Sequence, residues 1–352
     1  MIIHNSKNII KYINKNYSNY SIHDDSLLFE LFKSLKKVKV KKVFHKIKMT
    51  EPKMKYSYYF PNKIVDYINN HKYIHYSFII YKKPYKLDIH IYSLDKLNIN
   101  MYIEKIQYII ELCSNYNKLS QNSSIHIYLN DFPKFVSNDI ISPIHINSAF
   151  TQFLKNKRKI IIFRKEEWYK VLIHECFHLF SLDFRMDDKT NILFKKNVFM
   201  NSHYLLFECY AEFWARLLNI CIYLRKFKWT TFIKKANQHI YYEKIYTMMC
   251  CKKILTQFEF DINDFYVKPM KWKENTNMYC YYILTSVLFY NFEETMIFFK
   301  QYNHNLLYFN QQYVDLFMKF ILEKINYYNI QYDKIKHYNI NQINMSHLSI
   351  SF

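Results

Sequence analysis

The chain is 352 residues long and contains no glycine. Glycine enters left-handed backbone conformations without steric cost, so turns and helix ends that need positive φ must find another residue here. Asparagine is the natural substitute. The breaks at Asn69-Asn70, Asn115-Tyr116-Asn117 and Asn275-Thr276-Asn277 are expected to act that way. The missing glycine also explains the charge. With only 6 prolines and an abundance of Ile, Asn, Lys and Tyr, the composition follows AT-rich codon usage. Fifty basic against 29 acidic residues give a formal net charge of +21. Such a balance ordinarily points to nucleic acid or an anionic surface. Here codon usage accounts for much of it, so nucleic acid is not expected as the primary partner.

Periodicity places the elements. A helix is expected from Asp24-Asp25-Ser26 to about Leu35, with acids at its start. The alternating run Lys37–Phe44 reads as an edge strand with charged outer positions, continuing to about Ile47. Pro61 opens a helix to about Asn70. Tyr73–Tyr81 and Tyr85–Tyr92 read as paired strands around Lys83-Pro84. A helical period covers 97–116, and strands follow at 124–129 and 159–163. Residues 183–203 read as a connection. From Tyr204 onward the pattern is nearly all helical, in stretches near 204–226, 228–256, 277–300 and 305–329.

The chemistry concentrates in Lys170-Val-Leu-Ile-His174-Glu175-Cys176-Phe177-His178-Leu-Phe-Ser-Leu-Asp183. On a helix, residues four apart share a face, so His174 and His178 can aim their imidazoles at one point. Glu175, on the neighbouring flank, can reach a water bound there. This is the two-histidine metal pattern with an adjacent general base. A catalytic zinc takes a third protein ligand. One arrangement puts it ten residues after the first His with a glycine turn between. The ligand position is then Phe184 and the turn position Ser181, so that arrangement fails, and Asp183 is one residue off. The other takes a glutamate from a second helix. Phe207–Leu218 supplies Glu208 and Glu212 at i and i+4, beside two of the chain's four alanines, Ala211 and Ala215.

With these residues the chain resembles the gluzincin metallopeptidases, in which His-Glu-x-x-His is followed by a helix bearing Glu-x-x-x-Asp/Glu. It is also similar to gluzincin-like proteins of large AT-rich DNA viruses. The resemblance covers about residues 145–220, with a weaker echo near 275–300, and the spacer from His178 to Glu208 is long for the family. It implies Zn2+ held by His174, His178 and Glu208, with Glu175 as the general base. Glu212 would be the carboxylate that holds a ligand imidazole. It also implies an edge strand that receives a peptide by strand addition, and Asn147, Ser148, Ala149 and Phe150 match its position. A Tyr or His from the later helices would stabilise the oxyanion. Tyr281 and Tyr282 are the candidates, with His203 and His239 as rivals.

The expected fold is α+β and zincin-like: a mixed sheet with the active-site helix in an upper half and a mostly helical lower half. Three regions are expected: 1–80, a sheet-bearing 81–182, and a helical 183–352. The expected activity is zinc-dependent hydrolysis of peptide bonds by a metal-activated water, on a peptide or protein substrate. The competing class is a catalytically silent protein of the same fold, structural or basic and nucleic-acid-binding, associated with a virion. Seven cysteines at irregular spacing point to reduced, buried thiols rather than a disulfide frame, hence an intracellular, reducing setting, with virion association compatible. Met1–Asn19 has no apolar core run, so no signal peptide is expected, and no stretch is long enough to span a bilayer. Oligomeric state is left open.

Overall fold

The computed structural model describes residues 4–17, 26–57, 60–132, 134, 143–155, 157–197, 205–257, 259–260, 274, 276–332, 335 and 346–348. It is a mixed α and β structure with a six-stranded mixed sheet. The elements run α1 (His4–Asn16), α2 (Ser26–Lys37), β1 (Lys46–Thr50), α3 (Asn62–Asn69), β2 (Tyr73–Lys82), β3 (Tyr85–Ser93), α4 (Ile99–Ser114), β4 (Ser123–Tyr128), α5 (Pro143–Ile146), β5 (Ala149–Leu154), β6 (Lys157–Ile162), α6 (Trp168–Leu179), α7 (Asp188–Asn197), α8 (Leu206–Leu224) and α9 (Trp229–Gln257). A π-helix (Tyr279–Leu284) then leads into α10 (Thr285–Tyr290), α11 (Phe292–Tyr302), a short hairpin over 303–309, and α12 (Val314–Tyr332).

Two compact units result. One comprises residues 37–133 and 147–182; the other comprises 1–36, 134–146 and 183–351.

The first unit is built on the sheet, in the order β1-β2-β3-β4-β6-β5. The turn Lys83-Pro84 closes the β2–β3 hairpin, with Lys82 opposite Tyr85. Strands β3, β4 and β6 are parallel; β1, β2 and β5 run against their neighbours. Strands β1 and β2, from residues 46–82, thus lie in the same sheet as β3 to β6. Side chains alternate between the faces. On one face Ile89, Ile91, Ile125, Ile127, Ile160 and Ile162 are all fully buried. On the other, Tyr73, Tyr92, Tyr128, Phe150, Ile161 and Phe163 pack with Ile64, Val65 and Ile68 of α3. Helices α4 and α6 lie side by side, with the Tyr102 and Trp168 rings stacked 5.0 Å apart.

The second unit is helical. Helix α8 is apolar nearly all round and almost wholly buried, packed by α9, α10 and the π-helix.

Several expectations change. Among the described residues, positive φ occurs only at Ser181 (49°) and Glu259 (56°), not at asparagine. Asn70, Asn115 and Asn291 do close helices, but at φ −96°, −74° and −97°. Left-handed helix ends do occur among the described residues, after α6 and α9, but Ser181 and Glu259 fill them rather than asparagine. Residues 38–45 are not strand, because their lysines face solvent on both sides and Phe44 is fully out in water; regular pairing starts at Lys46. The 183–203 connection contains α7, started by Asp187, whose Oδ1 accepts from the Thr190 N–H at 2.7 Å. The 305–329 helix begins only at Val314. Before it, Asn305 Oδ1 accepts from the Tyr308 N–H at 3.1 Å and turns the chain into a hairpin. The seven cysteines are unpaired and buried. No described helix is long and apolar enough to cross a membrane.

Candidate metal centre

Helix α6 is apolar at Val171, Leu172, Ile173, Cys176, Phe177 and Leu179, all buried, so it sits inside its unit rather than on its surface. That burial encloses the polar residues between them. His174 and Glu175 are each 5% exposed and His178 is half-buried. The Nε2 atoms of His174 and His178 approach to 3.1 Å, with the ring planes 77° apart. Two imidazoles that share a tetrahedral ion at bonds of about 2.0–2.1 Å have their nitrogens roughly 3.3 Å apart, so this spacing suits a common ligand.

Two residues fix the motif. Thr151 on β5 donates its hydroxyl to Glu175 Oε2 at 2.5 Å. Arg158 on β6 is buried and closes the C-terminal end of α6. Its guanidinium donates to the Leu179 carbonyl at 2.5 Å, the His178 carbonyl at 3.2 Å and Ser181 Oγ at 3.1 Å. A cation on the last carbonyls satisfies groups the helix leaves open and complements its dipole. Ser181, with φ 49°, makes the turn that follows. Sequence reading missed both residues. An isolated Thr and Arg on strands carry no spacing that ties them to a motif on a helix.

In the helical unit, Glu208 lies in the first turn of α8, 8% exposed, and its Oε1 accepts from Asn277 Nδ2 at 3.3 Å. One turn on, Glu212 is fully buried and its Oε1 accepts from Arg216 Nε at 2.7 Å. Arg216 also donates to Glu243 Oε1 at 2.9 Å and to the Tyr281 carbonyl at 3.3 Å. Glu208, Glu212, Arg216 and Asn219 thus form a polar stripe along an otherwise apolar helix.

Ligand atoms of His174, His178 and Glu208 all lie within 4.8 Å of one another. The group is two-thirds imidazole and one-third carboxylate and is largely buried, a donor set that can hold a divalent metal ion. A single carboxylate also balances part of such an ion's charge. Asp183 is not in this group. Phe184, the ligand position of the rejected arrangement, packs instead among Phe207, Tyr210, Phe309 and Phe317. Cys176 and Cys209 are fully buried, and burial pushes both thiols well above their ordinary range, Cys176 with Cys113 beside it and Cys209 with Glu208 beside it.

The other expected site residues fall as follows. Strand β5 begins at Ala149, so Asn147 and Ser148 precede it, and their groups are already engaged. The Asn147 carbonyl accepts from Arg164 at 2.9 Å, the Ser148 carbonyl from the Phe163 N–H at 3.0 Å, and the Ser148 hydroxyl donates to Glu167. Because Ser148 is bonded to Phe163, alternation turns the backbone of Ala149, Thr151 and Phe153 to the far side, away from β6. Strand β5 is an edge of the sheet. Phe150 points into the core against Phe60. Tyr281 and Tyr282 lie on the π-helix; Tyr281 is half-buried, and the Tyr282 ring is buried with the Arg216 guanidinium 5.9 Å from its centre. His239 pairs with His347 at 3.1 Å, and His203 lies outside the described residues.

No protein-family model, curated protein or solved structure matches the chain.

Proposed function

We propose that the chain is a zinc-dependent hydrolase of peptide bonds. The observation that carries the reading is the convergence of His174, His178 and Glu208 donor atoms within 4.8 Å, with Glu175 one residue along α6. When bound, a zinc ion there would supply Lewis acidity, polarising a carbonyl and making water a better nucleophile at neutral pH. The rest falls to the chain's own residues. Glu175 takes the proton of the attacking water and delivers it to the leaving amine. Thr151 holds Glu175 Oε2, so the carboxylate keeps one orientation through both transfers. The substrate backbone extends along the open edge of β5, where Ala149, Thr151 and Phe153 direct their N–H and C=O groups outward.

The test separates metal from chemistry. Purified protein should carry about one zinc per chain by elemental mass spectrometry and should cleave a quenched-fluorescence peptide library. Glu175→Gln should keep the metal and lose cleavage by at least a hundredfold, within the usual range for a lost proton-transfer group. Glu208→Ala should lose most of the metal. A metal-free wild-type protein after zinc loading, or unchanged cleavage by Glu175→Gln, overturns the reading.

A further inference from the structure

The second face of the sheet is only partly covered. Helix α3 packs over one half, against Tyr73, Tyr92, Tyr128 and Phe163. The other half carries Lys46 and Lys48 from β1, Ser77, Ile79 and Tyr81 from β2, Lys86, Asp88 and His90 from β3, Ser124 and His126 from β4, and Lys157 and Lys159 from β6. The opposite face of β2, β3, β4 and β6 is largely apolar and closed. Here the exposure is high at the rim, with Tyr81 70% and Ile79 39% exposed, and Lys46 and Lys48 also exposed.

A row of rings crosses this face. Tyr128 stacks on Tyr92 at 4.3 Å, Tyr92 on His75 at 4.6 Å, His75 on His90 at 5.2 Å, and His90 on His126 at 4.5 Å. His75 Nε2 and His90 Nδ1 share a hydrogen bond of 3.0 Å. Nδ1 of His75 and Nδ1 of His126 are buried and have no partner among the described residues. A buried polar atom without a partner is costly, so each of these nitrogens is a place for an ordered water.

Charge on the face is one-sided. Its single acid, Asp88, sits between Lys86 at 3.5 Å and Lys157 at 3.6 Å. Five lysines against one aspartate leave four positive charges. Lys46 and Lys48 on β1 and Lys157 and Lys159 on β6 form two flanks separated by four strand spacings or about 19 Å, with Lys86, the histidine row and Tyr81 between.

The geometry points to this half-face as a docking surface for single-stranded nucleic acid. The lysine flanks take phosphates and the exposed Tyr81 ring stacks a base. All these residues belong to one unit of the fold, and the inference does not depend on the metal centre or on hydrolysis. The groups facing the histidines are Lys48, Asp88, Lys157 and Lys159, so the field at the row is positive and favours an anion.

The experiment is fluorescence anisotropy of the full chain with a labelled 20-nucleotide oligothymidylate across a salt series. Wild type should bind, with affinity falling steeply as salt rises. Lys157→Glu with Lys159→Glu should weaken binding at least tenfold and lower the slope of log affinity against log salt by about 1.4, two contacts at roughly 0.7 each. Lys11→Glu with Lys234→Glu changes the net charge equally at two exposed lysines of the other unit and should change binding less than twofold. Tyr81→Ala, exposed and so tolerated by the fold, should weaken binding about tenfold, a stacked base's worth. Equal losses from both lysine pairs would mean that net charge alone acts, and would overturn the assignment. So would absence of binding, or binding to phosphatidylserine vesicles without binding to the oligonucleotide.

Discussion

At the residue scale, the proposed hydrolysis puts weight on the hydroxyl of Thr151. A carboxylate that serves as a base must keep one orientation, and it must stay basic. A hydroxyl donor to Oε2 favours the first at small cost to the second. Three backbone donors on the same carboxylate would depress its basicity far more. Thr151→Val removes the donor while keeping the shape. Turnover should then fall by about tenfold, the worth of one hydrogen bond to a charged group, with bound zinc unchanged, and the acid limb of the pH–rate profile should move. Thr151→Ser should restore both. Unchanged profiles in the valine variant would show that the hydroxyl serves packing alone.

At the element scale, α8 shows how a charged stripe survives inside an apolar helix. Arg216 has a carboxylate on either side, Glu212 on its own helix and Glu243 on α9, and their charges more than offset the desolvation of its guanidinium. Glu243 in turn accepts from Ser346 Oγ at 2.8 Å and the His347 N–H at 3.1 Å, and pairs with the His347 ring. Asn219, at the end of the stripe, donates to the Leu348 carbonyl at 3.0 Å. Residues 346–348 therefore complete a polar network that begins at Glu212. Arg216→Met would remove the cation that Glu212 and Glu243 share, and breaking a buried pair this way costs about 3–5 kcal/mol. The urea midpoint of the variant should fall accordingly. A midpoint within experimental error of wild type would mean that the carboxylates find other partners.

The same elements mark how far the sequence could be read. The helical motif and the Glu208 helix were legible because spacing on a helix is geometry written in sequence. The start of edge strand β5 was legible to within two residues, but not its end at Leu154. Thr151, Arg158 and Asn277 were not, since each acts across a tertiary contact between elements that no periodicity relates. The Glu243–His347 pairing spans 104 positions and had no local trace at all. The expectation about asparagine failed for a different reason. The left-handed ends of α6 and α9 are taken by Ser181 and Glu259, while Asn70, Asn115 and Asn291 close their helices at negative φ.

At the scale of the whole molecule, the most general consequence concerns acid. Burial holds His75 down to about 4, His126 to about 2 and His239 to about 3, each with a neighbouring histidine and lysine adding to the effect. An unfolded histidine titrates near 6.5. Below that value the unfolded chain binds protons the folded chain refuses, so the unfolded state gains. The stability these histidines contribute is complete above about pH 6.5 and is lost as pH falls toward their folded values. Glu243 works in the same direction at lower pH. Its pairing with His347 and Arg216 outweighs its own desolvation and holds its pKa below the ordinary 4.5, so its contribution is lost only as the pH drops past that range. The two effects separate in a titration of stability. Urea midpoints should be flat from pH 8 to 7 and decline from about 6.5 to 5, with up to four protons taken up per chain on unfolding, the fourth at His90, which burial also holds down. His126→Gln should make that decline shallower by one proton's share. Both units of the fold contribute, His75 and His126 in one and His239 in the other, so a probe in each, Trp168 and Trp229, should report the same acid onset. A decline that begins only below pH 4.5 would place the acid sensitivity in the carboxylates and remove the histidines from the account.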